Sequence, residues 1–82
     1  MRSTGDFEEA LALYQHALSL YASEQEPVGT ACTLAETARC LHALQRGVEC
    51  DAALLNADIA ARASNTESVL RYVETVRGVI AG

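Results

Sequence analysis

Lysine and tryptophan are absent from this 82-residue chain, proline occurs once, and three tyrosines and one phenylalanine are the only large rings. Without lysine there is no Walker-type phosphate loop and no Schiff-base chemistry. No glycine-rich run replaces either. All six basic residues are arginine against eleven acidic ones, a formal charge of −5. A net acidic surface repels phosphate backbones, so nucleic acid is not an expected partner. Long apolar runs are missing as well. Asp6, Glu8 and Glu9 stand where a signal peptide needs an uninterrupted apolar core. The longest stretch without formal charge, residues 10–23, contains Gln15, His16 and Ser19. It is too short to span a bilayer. Three cysteines is an odd number, and with no secretory signal they read as reduced thiols in a cytoplasmic setting.

What is present favours helices. Half of the residues are hydrophobic, with alanine and leucine dominant, a composition suited to tightly packed helices and not to disorder. A chain of this length buries only roughly 60–65% of its unfolded surface, so close packing or association matters to its stability. Apolar periodicity predicts four helices, over about residues 6–22, 28–46, 48–63 and 66–81, in a single domain covering residues 1–82. In the first, Phe7, Ala10, Leu11, Tyr14, Ala17, Leu18 and Tyr21 form one face, and Leu13 and Leu20 widen it. Residues 23–26 read as a connection. Pro27 is tolerated at the first position of the second helix, and Gly47 is expected to end that helix in a left-handed conformation. Ser64, with Glu67 three residues later, has the spacing of a capping box for the fourth.

The helices fall into two interleaved classes. Ala10, Tyr14 and Ala17 step by four and three, and Cys50, Leu54 and Ala57 repeat those steps 40 residues on. Leu34, Ala38 and Leu41 step likewise, matched 35 residues later by Val69, Val73 and Val76. Such spacing is the mark of a two-helix repeat of roughly 34 to 40 residues. The segment "GDFEEALALYQHAL" resembles the second helix of a tetratricopeptide repeat. Gly5 and Asp6 match its turn, Phe7 its aromatic, and Ala10, Tyr14 and Ala17 its packing residues. "TLAETARCLHALQRG" resembles the first helix of the next repeat, with Leu34, Ala38 and Leu41 at the large, small and large positions. The stretched connection at "SEQEPVG" is similar to the longer repeats of bacterial regulators and signal-transduction ATPases. Departures are Gln45 where the second turn would carry glycine, Cys50 where alanine is usual, and Val73 at a tight crossing.

The resemblance implies an all-α, antiparallel α-solenoid fragment of about two repeats, whose first-type helices line a concave groove for a peptide or helix. Carried over position by position, the groove residues would be Cys32, Ala35, Arg39 and His42, then Glu67, Leu70, Glu74 and Arg77. Read without the resemblance, these are exposed polar residues with partners one turn away, Glu74 and Arg77 among them. The set lacks the clustered basic residues with which some family members grip a C-terminal carboxylate. Because a repeat buries its core only against neighbours, the chain reads as a piece of a longer array. Leu13 and Leu20 are then expected to stay partly exposed or to be covered by a second copy in a weak homodimer. Ala38 is expected to be fully buried where the second and third helices cross.

Site chemistry is sparse. Cys32, Cys40, Cys50, His16 and His42 are the soft metal ligands, and Cys40 and His42 point about 200° apart on one helix. No CxxC or HExxH spacing occurs. Cys40 and Cys50 read as small core residues, Cys32 as partly exposed. No nucleophile–base–orienter set is evident, so neither an enzyme nor a cofactor is expected. Two readings of function follow. One is a protein–protein interaction module within a larger scaffold or regulator; the other is a small self-associating helical bundle with a structural role.

Overall fold

The computed structural model describes residues 4–81, and these form four α-helices with no strand among them. They are α1 (Thr4–Glu24), α2 (Pro27–Ala43), α3 (Gly47–Ser64) and α4 (Glu67–Ala81). Turns this short between helices make sequential neighbours antiparallel. Each turn carries a residue in the left-handed region: Gln25 at φ 54°, Gln45 at 60° and Asn65 at 52°. After α1, the Gln25 and Glu26 N–H groups donate to the Ala22 and Tyr21 carbonyls at 3.2 and 3.0 Å. After α2, Gln45 and Arg46 donate to His42 and Leu41 at 3.0 and 2.9 Å. Both are Schellman closures, which satisfy carbonyls that the helix end would orphan. After α3, Asn65 donates to Arg62 at 3.1 Å, and Ser64 Oγ accepts from the Thr66 N–H at 3.3 Å.

Several local expectations are corrected here. Gly47 does not end α2; it opens α3, and the left-handed position is Gln45. The closure pattern needs the positive φ two residues earlier than the glycine provides. Ser64 forms no capping box with Glu67: it is the last residue of α3 and its Oγ donates to the Ala61 carbonyl at 2.6 Å. Gly5 and Asp6 lie inside α1 and not in a turn. The connection expected at 23–26 shrinks to Gln25 and Glu26, and Glu26 caps α2. Its Oε1 accepts from the Val28 and Gly29 N–H groups at 2.9 and 3.2 Å, ahead of Pro27 at the first helical position.

Packing centres on α2, which meets α1, α3 and α4; its contact with α3 is the most extensive in the fold. The buried core of α2 and α3 is rich in small side chains. Ala31, Ala35 and Ala38 of α2 and Ala57 and Ala61 of α3 are all fully buried. Small residues let the backbones approach closely, and Cys50 Sγ donates to the Ala38 carbonyl at 3.3 Å. Ala38 thus sits where the second and third helices cross, as its step position predicts. Val69, Val73 and Val76 bury the inner face of α4. Cys40 and Cys50 are buried and Cys32 is half-buried. Burial pushes the Cys50 thiol up from its ordinary pKa, with Asp51 adding to the shift, which keeps it a neutral packing group. Outside the core, Arg46 is bonded to Glu49 through Nη2 at 2.7 Å and reaches Glu8 of α1 at 3.4 Å.

Candidate interaction face

Because α2 lies between α1 and α4, its outward side forms a trough walled by side chains from both. Two adjoining hollows run along it. One, about 290 Å³, is lined by Tyr14, Cys32, Thr33, Glu36 and Tyr72. The other, about 490 Å³, is lined by Phe7, Ala10, Tyr14, Glu36, Arg39, Cys40 and Ala43. Tyr14 and Glu36 belong to both. The Tyr72 hydroxyl donates to Glu36 Oε1, a bond that spans 36 residues of sequence and ties α4 to α2. Arg39 Nη1, on an exposed side chain, lies 3.8 Å from the same oxygen of the half-buried Glu36, a partly solvated pair one helical turn apart that contributes little to stability.

The sequence-derived groove set divides among several places. Cys32 and Arg39 line the trough. Ala35 does not: it has no exposed surface and belongs to the core, because α2 is covered on three sides. His42 is exposed, but neither hollow of the trough includes it. Glu67 is exposed and bonded to Arg71 at 2.7 Å, Glu74 is exposed, and Leu70 is half-buried. Arg77 turns the other way. It lines a cleft with Asp51, Leu54, Leu55 and Ile80 between α3 and α4, 3.8 Å from Asp58 of α3. Its ionic partner is thus Asp58, not Glu74. Leu13 and Leu20 are 67% and 55% exposed.

Three trough residues stand outside the groove set expected from sequence: Tyr14, on the packing stripe of α1, and Glu36 and Tyr72. A signal existed. Tyr72 lies beside the Val69, Val73 and Val76 stripe, and a tyrosine at the edge of a buried face needs a partner for its hydroxyl. Among the described residues no three His, Cys, Asp or Glu side chains gather as a metal site requires, and no helix is long and apolar enough to cross a membrane. No family model, no curated protein and no solved structure matches the chain.

Proposed function

We propose that the chain is a protein-interaction module of tetratricopeptide type, non-enzymatic and cytoplasmic, part of a larger scaffold or regulator, that holds a peptide or helix of its partner in the trough over α2. The observation that carries this reading is the side-by-side contact of α2 and α4, the two helices whose packing residues correspond at an interval of 35 residues. In a two-helix repeat the first-type helices stack in this way and face the ligand. The fully buried Ala38 at the α2–α3 crossing is a second support. The trough offers aromatic surface beside a few polar groups, the usual composition of a recognition surface.

A display selection of random 15-residue peptides against the intact chain tests it. Selected peptides should lose binding to a Tyr72→Ala variant of unchanged helix content. Peptides that bind this variant as well as the parent chain, or an empty selection, would sink the proposal.

The exposure of Leu13 and Leu20 supports a second reading, self-association through α1. Light scattering at micromolar concentration decides it. A dimer insensitive to salt, and abolished by Leu13→Gln with Leu20→Gln, favours assembly; a monomer removes it.

A further inference from the structure

Resting on that reading of the trough, we infer that the hollow between Tyr14 and Tyr72 receives a cationic side chain of the partner, arginine or lysine, against Glu36. Two tyrosines and one carboxylate line it, with Cys32 and Thr33 completing the wall. Aromatic faces carry negative potential and attract cations, more strongly where water is partly excluded. Among the described residues, Glu36 is the only charged group lining this hollow. Its carboxylate is held in place by the Tyr72 hydroxyl, and its side chain is 35% exposed, so it is fixed yet reachable. Arg39, the one nearby arginine among the described residues, is 56% exposed and lines the adjoining hollow instead. An incoming cation competes with it for Glu36. The surroundings favour the same sign: the described part of α1, which forms one wall, carries Asp6, Glu8, Glu9 and Glu24 and no lysine or arginine. The whole chain is at −5, a field that draws cationic ligands in. A partner carboxylate would meet Glu36 head on.

The test uses the intact chain and two small probes of nearly equal shape, choline chloride and its uncharged carbon analogue 3,3-dimethylbutan-1-ol. Both are followed by the ring resonances of Tyr14, Tyr21 and Tyr72. Choline should shift Tyr14 and Tyr72 with saturation in the millimolar range, leaving Tyr21 still, and the alcohol should bind about tenfold more weakly, as expected for a partly desolvated cation over aromatic rings. Glu36→Gln keeps an acceptor for Tyr72 and removes the charge; it should weaken choline several-fold. Arg39→Gln removes the competing cation and should strengthen it, a result that does not depend on Glu36→Gln folding well. Equal binding of the two probes, or shifts in Tyr21 alone, overturns the inference. The peptide selection separates it from the reading beneath it. Selected peptides that need Tyr72 but contain no arginine or lysine leave the module standing and end the cation proposal. A choline response with an empty selection does the reverse.

Discussion

The α2–α3 pair and α1 share the same kind of apolar repeat in sequence, yet they end in different environments. On α2 and α3 five alanines have no exposed surface, and Cys50 of α3 reaches the backbone carbonyl of Ala38 on the facing helix. On α1, the longest helix, Leu11 is the one residue in the buried core among those described, and Leu13 and Leu20 stand mostly in solvent. The difference is one of neighbours. α2 is packed by three helices, whereas α1 has close backbone contact with α2 alone. A helical stripe gives a residue the opportunity to be buried; the number of elements around it decides whether it is.

The α2–α3 crossing is where the largest effect is expected. Ala38→Leu adds three carbons at a contact with no free space and should cost about 1–3 kcal/mol. For a domain of this size that lowers Tm by about 4–8 °C per kcal/mol. The matched change on α1, Ala12→Leu at an exposed position, should stay within about 0.5 kcal/mol. Thermal unfolding of the two variants side by side checks the contrast, and equal destabilisation would erase it.

A second, smaller effect probes the contact of Tyr21 on α1 with the start of α2. A Cβ on Gly29 would come within 2.6 Å of Tyr21 Cε1. Overpacking at Gly29→Ala outweighs the gain of about 1 kcal/mol that alanine brings to a helix, leaving a net loss of about 1 kcal/mol. Gly78→Ala, with nothing within 4 Å of its added Cβ, should show the helix gain alone. Urea midpoints of the two variants should therefore move in opposite directions.

Turn strain gives a gain of about 0.5–1 kcal/mol. Gln45 holds φ 60°, which costs a residue with a side chain about 1–2 kcal/mol and costs glycine little. Gln45→Gly should raise Tm; Asn65→Gly should raise it less, since asparagine tolerates this region. If Gln45→Gly lowers Tm, the left-handed closure of α2 is wrong.

The smallest stability change belongs to the open side of α1. Leu13→Gln with Leu20→Gln should alter unfolding free energy by less than about 0.5 kcal/mol while leaving helix content unchanged by circular dichroism. Unfolding of this variant would mean that both leucines belong to an intrachain core, contrary to their exposure.

Much of the fold was legible from particular residues. The steps through Leu34, Ala38 and Leu41, and through Cys50, Leu54 and Ala57, placed α2 and α3 and identified Ala38 as the crossing residue. Helix ends were less legible. Gly47 drew the expected turn toward itself because glycine favours positive φ, while the conformation is taken by Gln45, at the position where the resembled repeat carries glycine. The trough was half legible: Cys32 and Arg39 line it, but Ala35 is sealed beneath it, and Glu36 and Tyr72 meet across 36 residues. Position on an apolar stripe assigns a side chain to one face of a helix, and α2 has partners on three.

By itself the sequence determined the all-α class and the four helices, because apolar spacing at three and four residues suits only a helix that buries one side. It also determined the acidic balance and the absence of lysine. The tertiary structure alone decided which stripes are covered, which turn residues bend into the left-handed region, and that Tyr14, Glu36 and Tyr72 share one hollow. Burial and proximity depend on the docking of distant helices, a non-local sum of small packing energies that no single stretch of sequence carries.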